Sequence, residues 1–123
     1  GAFYDRQYNV KEAIAQLEKI APYNSNQPTL MFELGLLYVR NEQKGEAEAA
    51  MNRAVLLAPQ YSNARWYLAL LLEERGDVSG ALVQLREIEK SNHDNANLLA
   101  KIRTLEEGRR QIPPGEVIET KPL

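Results

Sequence analysis

Few side chains in this sequence have the type and spacing that a reaction needs. His93 is the only histidine and cysteine is absent, so the residues that most often pair a nucleophile with its base, or build a nitrogen-and-sulfur metal site, are missing. The carboxylate pairs Glu73-Glu74 and Glu106-Glu107 are left as candidates for acid–base work. Adjacent residues on a helix point in different directions, so neither pair can share a proton or grip one substrate between its members. No glycine-rich phosphate loop is written in the chain. His93 falls between Asn92 and Asp94, a turn-forming setting in which a solvated imidazole is expected. The chemistry points away from an enzyme, with no metal, no cofactor and no small-molecule substrate expected.

Charge narrows the partners further. Fifteen basic residues stand against 17 acidic ones, and no block of like charge occurs, so nucleic acid has no electrostatic footprint to bind. The 44% of apolar residues in a chain of 123 suffices for one small folded domain. With no cysteine the redox compartment is left open. No basic stretch leads into an apolar run, and the apolar runs are too short and interrupted to span a bilayer. The expectation is a soluble domain, either cytoplasmic or the soluble part of a membrane-attached protein.

The apolar residues return with a fixed period. Leu68 follows Leu34, Ala81 follows Ala47, Leu85 follows Met51 and Ile88 follows Ala54, each by 34 residues, and a period of this length marks units that stack. The first copy reads Leu34-Gly35-x2-Tyr38, then Ala47-x3-Met51, then Pro59. This pattern resembles the tetratricopeptide repeat, a helix-turn-helix unit of the same length. The second copy departs from it with Ala69, Leu72 and His93 where the first has Gly35, Tyr38 and Pro59. The resemblance covers about residues 2 to 107 and implies an all-α fold, a superhelical stack of antiparallel helix pairs closed by a C-terminal capping helix.

Taken in order, residues 1–25 form a partial repeat. Tyr4 lies 34 residues before Tyr38, and Ala13, Leu17 and Ile20 lie 34 before Ala47, Met51 and Ala54. A short helix carrying Phe3 and Tyr4 is expected over residues 2–7. A second is expected to start at Asn9, whose side chain can cap free N–H groups while Glu12 reaches back. Full repeats follow over 28–61 and 62–95. Pro28 suits a first helical turn, Ser62 and Asp77 read as N-caps, and Gly76 reads as a left-handed helix end. Gly35, Ala47 and Ala81 are small enough to let paired helices approach closely, so Ala47 and Ala81 are expected to be buried. The capping helix, 96–110, has Leu98, Leu99, Ile102 and Leu105 on one side. Lys101, Arg103, Glu106, Glu107, Arg109 and Arg110 lie on the other, and Gly108 is expected to loosen its end. The tail, 111–123, with three prolines and a glycine, reads as extended. It is either a linker or a segment whose Ile112, Val117 and Ile118 dock on the domain, from its own chain or a neighbouring copy.

In the tetratricopeptide family the first helix of each repeat lines a concave groove. By that resemblance the groove side shows Phe32, Leu36 and Arg40 from one repeat, Asn63, Trp66, Leu70 and Glu73 from the next, and Asn97 from the capping helix. Phe32 and Leu36, like Trp66 and Leu70, are four residues apart and share a helix face. The competing reading packs Phe32 and Trp66 between helices. The resemblance implies a module that binds a protein or peptide in a mainly apolar groove. Self-association as a homodimer and service as an accessory domain of a larger enzyme or envelope-associated protein are the alternatives. Family members that clamp a terminal carboxylate use Lys, Arg and Asn on this side, where this chain has largely Phe32, Leu36, Trp66 and Leu70, so that adaptor role is disfavoured.

Overall fold

A computed structural model describes the backbone of residues 2–111 and the side chains of residues 9–108. Six helices follow one another: α1 Ala2–Ile20, α2 Pro28–Arg40, α3 Lys44–Leu57, α4 Ser62–Glu74, α5 Val78–Glu89 and α6 Ala96–Gln111, with a 3-10 turn at Ala21–Tyr23 after α1. No strand occurs among the described residues, and none of their helices is long and apolar enough to cross a membrane. Helices that are neighbours in sequence pack on one another throughout. The starts of α2, α4 and α6 are 34 residues apart, as are those of α3 and α5.

The turns inside the pairs explain this spacing. Glu42, at φ 59°, and Gly76, at φ 91°, both take left-handed backbone. After each, the next residue donates its N–H five residues back, Gln43 to the Tyr38 carbonyl and Asp77 to the Leu72 carbonyl, both at 2.8 Å. This closes the helix end and turns the chain. Asp77 then accepts from the Gly80 N–H at 2.9 Å and caps α5. One period before Glu42 stands Tyr8, and a bulky residue pays a steric penalty in left-handed backbone.

That conflict overturns the expected break at Asn9. Residues 2–20 form one unbroken helix, since no glycine or proline interrupts them and Asn in a helix interior costs only a few tenths of a kcal/mol more than its neighbours. The expected short helix over 2–7 is therefore the first part of α1. Two smaller corrections concern helix ends. Ser62 lies inside the first turn of α4 rather than capping it, because Tyr61 holds the cap position without a side-chain hydrogen bond. Gly108 leaves α6 intact, the helix running on to Gln111. The expectations for residues 112–123 lie outside the described residues.

The core runs along the seams between helices. Ala47, Met51, Ala54, Ala81 and Leu85 have no exposed surface. A Cβ placed on Gly35 would come within 2.9 Å of the Met51 Cε, so the absent side chain is what admits Met51 between α2 and α3. Charge holds the outer edges. Arg75 grips the Glu48 carboxylate through two N–H groups at 2.9 and 3.1 Å, and Lys44 meets Glu74 at 2.5 Å, both tying α3 to the end of α4. Lys101 and Glu106, expected on the wet side of the capping helix, instead face the body. Lys101 pairs with Glu73 of α4 at 2.7 Å, and Glu106 pairs with Arg86 of α5.

Candidate functional site

The expected groove residues divide into three groups. Phe32 packs between elements. Its ring centroid lies 5.0 Å from that of Tyr61 and 5.9 Å from that of Tyr67, the latter edge-on. Such ring pairs add to the area that burial already removes from water, so Phe32 acts as a joint between α2 and α4. Burial, helped by nearby Glu33, pushes the Tyr61 phenol above its ordinary range and keeps it neutral. The signal for this joint was present in the sequence. Three aromatics stand close together at positions 61, 66 and 67, and two of them, Tyr61 and Tyr67, meet Phe32 of the preceding repeat.

Leu36 and Arg40 form the second group. Together with Ala13, Leu17 and Leu37 they line an open cleft of about 480 Å³ between α1 and α2. The seam is fastened by the Tyr38 hydroxyl, which donates to the Glu18 carboxylate at 2.5 Å. Burial, with the added effect of Glu18, pushes the Tyr38 phenol up to about 12.

Asn63, Trp66 and Asn97 do come together. With Ser62, Ile88, Asn92, Asn95 and Leu98 they line a cleft of about 360 Å³ at the N-terminal ends of α4 and α6. Trp66 is half-buried and supplies an aromatic surface. None of the eight lining residues is ionisable. Two of the amides are anchored. The Asn92 side chain donates to the Ile88 carbonyl at 3.1 Å, and Asn95 accepts from the Leu98 N–H at 3.0 Å, capping the start of α6. These bonds leave the Asn92 Oδ1 and the Asn95 Nδ2 to meet another partner. Leu70, one turn along α4 from Trp66, is half-buried, and Glu73 beyond it is held by Lys101.

Ile88, Asn92 and Asn95 were missed by sequence reasoning because they come from the end of α5 and the turn after it, not from a first helix. The run of asparagines at 92, 95 and 97 was their visible trace. His93, in the same turn, is exposed, with the Asp94 carboxylate 3.6 Å from its Nε2.

Comparison with solved structures identifies the architecture. The chain superposes on a MamA protein with a TM-score of 0.75 at 21% identity, over 81% of this chain and 55% of that one. It superposes on the first tetratricopeptide domain of Spaghetti (RPAP3), solved with the HSP90 peptide SRMEEVD, with a TM-score of 0.73 at 20% identity, covering 88% and 86% of the two chains. A tetratricopeptide repeat protein from Parabacteroides merdae gives 0.77 at 18% identity, covering 90% of this chain and 43% of that one. The chain thus spans a little over half the length of the MamA structures. No family model and no curated protein matches the sequence. The fold is a tetratricopeptide-like, all-α stack of helix pairs.

Proposed function

We propose that this domain binds a protein or peptide partner, without catalysis, on the side formed by α2, α4 and α6, and that Asn63, Trp66 and Asn97 form the centre of the site. One observation carries the reading: a half-buried tryptophan lines a cleft whose rim offers several amides and no charge. An indole supplies a large contact area at little entropic cost, and tryptophans are enriched among the residues that dominate binding energy. Amides, which both donate and accept, suit the backbone of an extended segment. Leu70 stands one turn along α4 from Trp66, while Leu36 and Arg40 line the separate cleft between α1 and α2. Phe32 packs on Tyr61 and Tyr67 and does not line the cleft at Trp66.

The uncharged lining also indicates which partners fit. The peptide in the RPAP3 structure, SRMEEVD, carries three carboxylate side chains, and no basic side chain lines the Trp66 cleft to meet them. An uncharged or weakly charged segment is the better match. A peptide array graded in charge, read by capture of the full chain, tests this. Trp66→Ala is expected to weaken the best binder about thirtyfold or more, the loss of a dominant contact residue. If that variant keeps its helical circular dichroism and binds as tightly as the parent, the site is not at Trp66.

A further inference from the structure

The character of the Trp66 cleft matches a segment of this chain. Gln111-Ile112-Pro113-Pro114-Gly115 carries no charge, as the cleft carries none. Proline presents a flat apolar ring that stacks on an indole. A proline pair restricts the chain before it docks, so less freedom is lost on binding. Carbonyls on such a segment have no competing N–H on the proline residues and stand available to amide donors, of which the Asn95 Nδ2 and the side chains of Asn63 and Asn97 are three at the rim.

Distance decides which copy supplies it. The cleft touches α6 at Asn97 and Leu98, at the helix start. Gln111 ends the same helix, roughly 20 Å away at the usual rise per residue. Pro113 and Pro114 stand two and three residues beyond Gln111, and so few residues span at most about 10 Å when fully extended. The proline pair cannot return to the cleft of its own chain. We propose that Ile112–Gly115 of one copy docks in the Trp66 cleft of a second copy, and that reciprocal exchange makes a dimer. This rests on the reading of the cleft as a peptide site, and it names one occupant.

The test uses the full chain and Trp66, its only tryptophan, as reporter. Light scattering and indole emission are followed across a concentration series for the parent and for the double variant Pro113→Asp, Pro114→Asp, which alters no described residue. The expected result is a mass rising from one chain towards two as the emission moves to the blue, with both changes lost in the variant. Emission that ignores concentration in both proteins would overturn the proposal. So would a dimer that survives in the variant, because another surface then makes it. A blue emission that is independent of concentration but lost in the variant would place the segment in its own chain and overturn the exchange. The failure of the wider reading is separable. If the double variant still binds added uncharged peptides, and Trp66→Ala in its background abolishes that binding, the cleft remains a peptide site and only the occupant is wrong.

Discussion

The seams from α2 to α5 and the seam between α1 and α2 were built from the same 34-residue pattern, yet only the former close completely around their central residues, although an outer cleft of about 420 Å³ lies between α3 and α4 as well. In the middle of the molecule Ala47, Met51, Ala54, Ala81 and Leu85 are wholly buried. At the α1 end Ile14 is buried, but Val10 and Leu17 are only partly covered and a cleft of about 480 Å³ opens beside Leu17. The apolar residues that recur with the period are present in both places. The difference lies in the turn. Glu42 and Gly76 take the left-handed backbone that folds one helix back on the next, whereas Tyr8 stands at that position in the first repeat and the helix runs straight through. A repeat needs its turn residue as much as its core, since the core can close only after the chain has reversed.

The largest test of this comparison is truncation of equivalent apolar contacts. Leu85→Ala in the closed region should cost about 2–5 kcal/mol, as a fully buried leucine leaves a cavity. Leu17→Ala, at the open seam, should cost about 1 kcal/mol, because a partly covered side chain loses less contact and water fills the gap. Urea denaturation of both variants measures the difference, and equal costs would remove the distinction between the seams. Overpacking provides a second measure of closure. Ala81 has no exposed surface, so Ala81→Leu should cost about 1–3 kcal/mol because the space is already filled, and an unchanged melting temperature would show that the seam has slack.

Alkaline titration probes a polar fastening of the α1 end. The Tyr38 phenol is raised from its ordinary 10 to about 12 by burial and by the Glu18 carboxylate it donates to. A raised pKa means that folding favours the protonated form. The contribution is therefore complete below pH 10 and is lost as the pH climbs towards 12. Tyr61 is raised as well, so the informative quantity is the difference between the parent and Tyr38→Phe. At pH 7 the parent should be more stable by about 0.5–1.5 kcal/mol, the net worth of one hydrogen bond, and this advantage should vanish between pH 10 and 12. A constant difference across that range would mean that Tyr38 and Glu18 do not hold the seam.

Much of this architecture was legible in the residues. The period located the pairs from α2 to α5 because buried positions such as Ala47, Met51, Ala81 and Leu85 recur with it, and Gly76 and Asp77 marked a turn and a cap by their own chemistry. Periodicity was silent on whether the chain reverses near Tyr8, because that is decided by one backbone conformation and not by apolar spacing. The candidate cleft was legible in part. Trp66 and Asn63 lie on a first helix and Asn97 on the capping helix, as the family pattern implied, while Phe32 matched the same pattern and packs instead on Tyr61 and Tyr67. The pairings of Lys101 with Glu73 and of Glu106 with Arg86 depend on how far α6 is rotated, which its apolar stripe sets only to within a turn's width.

The smallest effects test the turn itself. Gly76 and Glu42 occupy the same place in successive repeats, and both have positive φ. An alanine at Gly76 would bring a Cβ into a backbone conformation that L-residues avoid, at a cost of about 1 kcal/mol. Space is not the obstacle, because nothing lies within 4 Å of the position such a Cβ would take. Glu42 already bears a comparable penalty, so Glu42→Gly should relieve it. Glycine also gives up more freedom on folding, a cost of roughly 0.5–1 kcal/mol. The two terms nearly cancel, and the expected outcome is a gain of no more than a few tenths of a kcal/mol. The opposite signs of the two substitutions, read from urea midpoints with unchanged slopes, are the signature of a conformational requirement. Equal destabilisation by both would mean that Glu42 is retained for its side chain, and that backbone handedness does not separate the closed repeats from the straight first helix.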